Sequence, residues 1–139
     1  MNPWIFVGLS HNDRYAAVRY YKTKDTDKPD TIAIAVAEAF DVTVEELRGK
    51  SRYQTIADAR HSMIKMTRQE LGYSTPQIGK YLGRHHATIL NSLKVFDQIF
   101  EYDKTFAKRH QRAEQIYLET IKQLNEKAAA LRGIEDSTH

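Results

Sequence analysis

The residues best suited to chemistry lie between Ser74 and Lys94, and several of them follow a glycine-containing turn. These residues are His85, His86, Ala87, Thr88 and Asn91. An imidazole can donate to a guanine or a phosphate, a methyl group can contact the thymine methyl, and Thr and Asn add hydrogen-bonding capacity. Side chains of these types at the start of a helix are typical of base contacts in the DNA major groove.

The segments that would position these residues have the pattern of a helix-turn-helix. Ser74 and Gln77 form a capping box, Pro76 suits the first turn of a helix, and Gly83 can adopt the left-handed conformation that ends it. A longer helix is predicted from about His86. Five of its residues are predicted to face the core: Ile89, Leu90, Leu93, Phe96 and Phe100. An ordinary helical hairpin would share this pattern.

In the helix-turn-helix interpretation, the first helix lies where phosphate contacts form, with help from its N-terminal amides. The residues expected to make these contacts are Ser74, Thr75, Gln77 and Lys80.

Charge is unevenly distributed along the chain, although the net charge is only +3. Residues 31–49 carry four acids and one base, whereas residues 50–94 carry two acids and eight bases. The eight bases are Lys50, Arg52, Arg60, Lys65, Arg68, Lys80, Arg84 and Lys94. Such a local excess is expected for a protein with a polyanionic partner, and a solvated basic face without a ligand would look the same.

The segment before the helix-turn-helix is predicted to be helical. Ile32, Val36 and Phe40 recur at a spacing of four, which indicates one buried stripe. A capping box of Thr43 and Glu46 opens a short helix that ends at Gly49. Residues 50–54 are predicted to form a basic loop, followed by a helix over residues 55–71. Four of its residues are expected on one buried face: Ile56, Ala59, Met63 and Met66.

The two ends of the chain are expected to lie outside the central unit. Residues 1–30 are interpreted as an arm with short strands at Trp4–Leu9 and Tyr15–Tyr21 and a linker at Lys22–Asp30. Residues 101–139 are interpreted as a long helix with a frayed tail. The helix has a seam at Tyr117, Ile121, Leu124, Ala128 and Leu131, which could dock on the domain or form a homodimer through residues 105–132.

Composition excludes several classes of protein. The chain has no cysteine, so it has no disulfide and no thiolate metal site. No apolar run is long enough to span a membrane and no signal peptide is evident, so we expect a cytoplasmic protein. There is no glycine-rich phosphate loop and no nucleophile–base pair, so we expect no enzyme and no cofactor. Adjacent side chains on a helix point about 100° apart, so His85 and His86 are not expected to bind a metal.

Residues 31–100 resemble the C-terminal, origin-binding domain of the bacterial replication initiator DnaA. The resemblance depends on an ordered series of segments: VAEAF, DVTVEELRGKSR, IADARHSMIKMTRQEL and STPQIGKYLGRHHATILNSLK. The last segment, around the recognition helix, is the most specific. The resemblance covers about half of the chain and implies an all-α, Trp-repressor-like helix-turn-helix fold. It also implies binding to double-stranded DNA.

The resemblance also implies roles for individual residues. Arg52 matches an arginine that enters the minor groove, and Arg60 and His61 match positions that contact the DNA backbone. His61 stands where the family usually has glutamine. Pro76 matches a proline near the groove, and Lys94 matches a basic position in the recognition helix.

The chain departs from the family at the base-contacting motif. The family's Asp-His-Thr-Thr becomes His85-His86-Ala87-Thr88, and a glycine pair is reduced to Gly83 alone. An aspartate accepts from a cytosine amino group, which His85 does not do in the same way. We therefore expect the family's docking mode with a different target sequence.

The expected function is sequence-specific binding of double-stranded DNA by a stand-alone protein without the family's ATPase module, in replication initiation or its regulation. A transcriptional regulator is one alternative. A protein-interaction module with the same fold and only non-specific DNA affinity is another.

Overall fold

The structure is a computed structural model that describes the backbone of residues 29–137 and the side chains of residues 29–133. It contains six helices and no strand within residues 29–137. The helices are α1 (Pro29–Phe40), α2 (Val44–Arg48), α3 (Gln54–Leu71), α4 (Thr75–Leu82), α5 (His86–Tyr102) and α6 (Lys104–Ser137). The predicted all-α class is confirmed. The predicted strands, and the predicted linker up to residue 28, lie outside the described residues. The linker prediction is wrong for Pro29 and Asp30, which form the first turn of α1.

The first three helices begin and end within two residues of the bounds that the sequence predicts. Ile32, Val36 and Phe40 of α1 are buried. The Thr43 side chain accepts from the Glu46 N–H at 3.0 Å and the Glu46 carboxylate accepts from the Thr43 N–H at 3.0 Å, so the predicted capping box of α2 is present. The helix predicted over residues 55–71 begins one residue earlier.

The hydrophobic core is shared by α1, α3, α5 and the first half of α6. The helix α1 packs against α3 and α6, and α5 packs against α3 and α4. Three phenylalanine rings join these helices: the Phe106 ring of α6 lies 5.8 Å from Phe40 and 5.4 Å from Phe96, centroid to centroid. Aromatic pairs at such distances add to the free energy of burial. The core therefore holds the helix-turn-helix on a rigid base.

The long helix α6 changes character near Ile121. Phe106, Ala113, Tyr117 and Ile121 are buried in the core, whereas none of residues 122–133 is buried. The sequence allows the seam of this helix either to dock on the domain or to pair with a second copy. The first half of the seam docks on the domain. Leu131, at its far end, is 55% exposed.

Candidate nucleic-acid interface

The helix-turn-helix consists of α4, a turn and α5, and its first helix is capped at both ends. Ser74 Oγ accepts from the Gln77 N–H at 3.2 Å, and Gln77 Oε1 accepts from the Ser74 N–H at 2.8 Å. At the other end, Gly83 has a left-handed φ of 66°. The Arg84 N–H donates to Gly79 O at 2.8 Å and the Gly83 N–H to Lys80 O at 3.4 Å. This is the Schellman pattern, which stops a helix and sets the exit direction of the chain.

The turn packs against α4 at a glycine. A Cβ atom built on Gly79 would lie 2.5 Å from the carbonyl oxygen of Arg84. Only a residue without a side chain lets the turn approach α4 this closely. Gly79 was not singled out in the sequence, where a glycine inside a helical pattern indicates only a weaker helix.

The second helix begins with a histidine cap. His85 has an extended backbone, and its Nδ1 accepts from the Ala87 N–H at 3.1 Å. Because Nδ1 is the acceptor, Nε2 carries the proton in this arrangement and can donate outward. The His85 and His86 rings lie 4.4 Å apart. The two rings lie close together because the expected angle of about 100° between adjacent side chains applies only when both residues are helical. His85 precedes the helix. Its Nδ1 is already used by the cap.

One stripe of α5 faces outward from the protein. It consists of Ala87, Leu90, Asn91 and Lys94, which follow the i, i+3, i+4, i+7 spacing of a single helix face. All four are exposed. We call this set the outer stripe. His86 and Thr88 are also exposed at the start of the helix. A helix presenting short polar and methyl-bearing side chains in this way can enter the major groove.

Two of the predicted inward residues of α5 are exposed, so that part of the prediction is wrong. Ile89 and Phe96 are buried and Leu93 is partly buried, but Leu90 is 46% exposed and Phe100 38% exposed. Leu90 lies about 100° around the helix from the buried Ile89 and belongs to the outer stripe. Phe100 is near the end of α5, where its ring stacks on Phe96 at 5.5 Å. Leu90 is therefore a candidate DNA contact that the sequence did not indicate.

The basic loop connects α2 to α3 and comprises residues Gly49–Tyr53. Lys50 and Arg52 are exposed, and Tyr53 is 79% exposed. Ser51 Oγ accepts from the Tyr53 N–H at 3.3 Å, which turns the chain into α3. Arg52 thus projects from a short ordered loop, as an arginine that enters a minor groove would have to do.

Arg60 points into the protein. Its Nε donates to Leu47 O at 2.9 Å and its Nη1 to Ser51 O at 3.1 Å. Its Nη2 donates to Glu46 O at 3.1 Å and Gly49 O at 3.0 Å. Four of the five guanidinium donors are therefore bonded to backbone carbonyls.

His61 joins α3 to α5. Its Nδ1 lies 2.5 Å from Ser92 Oγ. Burial lowers the pKa of His61; nearby Asp58 raises the pKa and Arg60 lowers it. Because the burial effect is the largest, the neutral imidazole is favoured.

The eight basic residues of segment 50–94 divide into two groups. Four are turned toward neighbours within the protein: Arg60, Lys65, Arg68 and Arg84. Lys65 Nζ lies 3.4 Å from Asp97 Oδ1, and Arg68 Nη1 donates to Tyr73 O at 2.9 Å. Arg68 is nevertheless exposed, as are the other four bases: Lys50, Arg52, Lys80 and Lys94. Fewer basic side chains are therefore free to contact a phosphate directly than the sequence count suggests, although the guanidinium groups bonded to neutral carbonyls keep their positive charge.

The start of α4 offers fewer groups to a phosphate than expected. The capping box uses the side chains and N–H groups of Ser74 and Gln77, and Pro76 has no N–H. Thr75 retains its hydroxyl and its N–H, and Lys80 is exposed one turn later.

Among the residues that the structure describes, no three His, Asp or Glu side chains form a group that could hold a metal ion. None of the described helices is long and apolar enough to cross a membrane.

The fold and this surface define a helix-turn-helix DNA-binding domain joined to a long C-terminal helix. Residues 29–95 match the family described as the bacterial dnaA protein helix-turn-helix. This part of the chain is thus a DNA-binding helix-turn-helix domain of the bacterial DnaA type, which confirms the resemblance seen in the sequence.

Proteins named chromosomal replication initiator protein DnaA align with the chain over 60 to 101 residues. The protein of Nostoc punctiforme is 35% identical over 80 residues, which are 57% of this chain and 17% of the relative. That of Porphyromonas gingivalis is 33% identical over 101 residues, 72% of this chain and 21% of the relative. That of Mycobacteroides abscessus is 42% identical over 60 residues, 43% and 12% respectively. The chain therefore spans about a fifth or less of the length of these relatives.

Proposed function

We propose that this protein binds double-stranded DNA sequence-specifically, with the start of α5 in the major groove and Arg52 in the minor groove. The observation that carries the proposal is the outer stripe. It presents Ala87, Asn91 and Lys94 from a helix that is capped by His85, preceded by a tight turn and held on a buried core. A rigid support of this kind reduces the ordering cost of binding.

Base contacts are assigned to the exposed side chains at the start of α5. His86 can donate to a guanine or a phosphate, and Asn91 can form two hydrogen bonds with an adenine. The methyl groups of Ala87 and Thr88 suit a thymine. His85 adds an outward Nε2–H donor where the family motif has an aspartate acceptor, so we propose a target sequence that differs from the family's usual one.

Phosphate contacts are assigned to the exposed bases around these grooves. Lys50 lies beside Arg52 in the basic loop, Lys80 lies on α4, and Lys94 lies on α5. Thr75 adds a hydroxyl and an amide at the start of α4, next to Ser74, Pro76 and Gln77. Arg60 and His61, which bond within the protein, are proposed to act on DNA by holding the basic loop and α5.

The names of the relatives suggest where this binding is used. We propose a non-enzymatic role in replication initiation or its regulation, in the cytoplasm, where bacterial DNA lies. Regulation of transcription would use the same surface. A protein-interaction module with the same fold is the competing function, and the exposed leucine at position 131 is the observation that favours it.

A homodimer would have to form through the second half of α6. Tyr117 and Ile121 are already buried within the chain, so Leu124, Ala128 and Leu131 remain from the predicted seam. A dimer would bind paired half-sites separated by about one helical turn of DNA. Sedimentation of the unaltered chain and of the variant Leu124→Lys tests this. If the chain is a dimer, the variant should sediment with a lower mass, and if it is a monomer the two masses should be the same.

Selection of bound duplexes from a random pool tests the proposed function. We expect enrichment of a defined sequence. Affinity for that sequence should fall at least about tenfold in His86→Ala and in Arg52→Ala, because each removes a groove contact. Asp97→Asn, on the same helix but in contact with Lys65, is the matched control. No enrichment, together with unchanged affinity in both variants, would refute groove binding.

A further inference from the structure

Two arginines from different parts of the domain converge on one backbone oxygen. Arg60 of α3 and Arg84 of the turn both donate through Nη2 to the carbonyl of Gly49, at 3.0 Å and 2.5 Å respectively. Gly49 ends α2 and begins the basic loop. We call this arrangement the Gly49 clamp.

The clamp supplies donors to carbonyls at the end of α2, of which Glu46 O also accepts from the Gly49 N–H at 3.3 Å. The last carbonyls of a helix lack an intrahelical donor and carry partial negative charge. Arg60 also bonds the carbonyls of Glu46 and Leu47 in α2. Burial lowers the pKa of Arg60 most, and the nearby positive charge of Arg84 lowers it further. Two guanidinium groups are thus held together over carbonyls, and four of the Arg60 donors are committed to this task.

The clamp joins the two elements that contact DNA in the proposed function. On one side of Gly49, the chain continues to Arg52, which is proposed to enter the minor groove. On the other side, Arg84 directly precedes His85, which caps α5. Arg84 Nη1 also donates to Leu82 O at 3.2 Å, which fixes its side chain to the end of α4. The Gly49 oxygen therefore connects the basic loop directly with the residue that precedes the cap of α5.

We propose that Arg84, together with Arg60, is a positioning residue that sets the distance between the minor-groove arginine and the recognition helix. This inference rests on the proposed function. It assigns Arg84 a role other than the direct phosphate contact that its charge suggests. The clamp makes the two groove contacts cooperative, because Arg52 is presented in the correct place only while Gly49 is held.

The first test uses no DNA and concerns the loop alone. Trypsin cleaves after Lys50 and Arg52, and cleavage of a folded protein follows local opening. We expect cleavage at these bonds to be about tenfold faster in Arg84→Met than in the unaltered chain, as for loss of a charge-assisted hydrogen bond. The measurement is made where circular dichroism shows both proteins folded. The control Lys80→Met, an exposed change of the same type, should leave these cleavage rates unchanged.

The second test measures binding to the selected duplex in a double-mutant cycle. We expect Arg84→Met to reduce affinity and to diminish the further effect of Arg52→Ala, while the salt slope stays unchanged. Lys80→Met should reduce the slope by about 0.9 and act additively with Arg52→Ala. Arg84→Lys keeps the positive charge but not the planar fork. It should resemble Arg84→Met if the clamp is the cause and the unaltered chain if a phosphate is the partner.

The outcomes separate the inference from the function beneath it. An unaltered chain that selects no duplex would refute the proposed function, while the trypsin result would still decide whether Arg84 holds the loop. Unchanged cleavage would overturn the clamp. Additive loss of affinity with a slope reduced by about 0.9, rescued by Arg84→Lys, would also overturn it in favour of a direct phosphate contact.

Discussion

The salt dependence of DNA binding is a quantitative test of how the basic side chains are oriented. Each phosphate neutralised on duplex DNA contributes about −0.9 to the slope of log K against log salt concentration. Lys50, Arg52, Lys80 and Lys94 are exposed and, unlike the exposed Arg68, make no hydrogen bond within the described residues. If these four contact phosphates, they predict a slope of about −3.6. The eight bases counted in residues 50–94 would predict about −7 if all reached phosphates.

The two values are easily separated by experiment. A slope of −3.6 means that raising the salt from 50 to 200 mM weakens binding about 150-fold, whereas a slope of −7 means more than about 10,000-fold. Fluorescence anisotropy on a labelled duplex at pH 8 measures the slope. This pH limits contributions from histidine, whose unperturbed pKa is about 6.5.

A pair of lysine variants provides the internal control. Lys80→Ala should make the slope shallower by about 0.9, because Lys80 is exposed on the proposed DNA-facing side. Lys65→Ala should leave it unchanged, because Lys65 pairs with Asp97 and lies 5.4 Å from the Phe96 ring. A slope of −6 or steeper would refute the inward assignment of the other bases. A slope shallower than about −1.5 would favour the protein-interaction module.

Four further predictions concern single residues. His85→Asp should raise the free energy of unfolding by about 0.5–1 kcal/mol, because aspartate is a preferred N-cap residue, and an unchanged melting temperature in calorimetry would contradict the capping role. The same variant should select a different DNA sequence. Gly79→Ala should destabilise the domain by about 1–3 kcal/mol in urea unfolding because its Cβ meets the Arg84 carbonyl, and a neutral result would show that the turn can move. Leu90→Ser should weaken binding to the selected duplex without lowering stability, and a loss of stability instead would show that Leu90 belongs to the core. The pKa of His61 is lowered in the folded state, so the unfolded state binds more protons and the free energy of unfolding should fall as the pH drops below about 6.5. His61→Gln should remove that part of the pH dependence. Identical pH profiles of the variant and the unaltered chain would contradict this prediction.

The local features that sequence predicted best are those set by short-range stereochemistry. Both capping boxes and the left-handed Gly83 depend on residues within three or four positions of one another. Their hydrogen bonds form within a single turn, so the residue types alone nearly determine the geometry. The order and approximate bounds of the helices followed from the same signals.

Features that depend on distant packing were not predictable in the same way. Leu90 is apolar, and only the position of α3 and α4 around α5 determines that it faces outward. The inward direction of Arg60 and Arg84 depends on Gly49, which is 11 residues from the one and 35 from the other. A count of charges along the chain does not distinguish a guanidinium bonded to carbonyls from one that faces solvent.

The far half of α6 has a mechanical consequence. Among the side chains described, up to residue 133, Ile121 is the last buried one. Residues 122–137 continue as helix beyond it, and 16 residues at about 1.5 Å each extend for about 24 Å. Lys122, Leu124, Asn125 and Ala128 are still partly buried. Local terms add to the helical stability of the segment, such as the alanines at 128–130 and the Lys122–Glu126 pair at 3.9 Å. Helices of this length are marginal without tertiary packing. On heating, the far end of α6 should lose helicity gradually before the core unfolds, so that the segment acts as a rod whose stiffness depends on temperature.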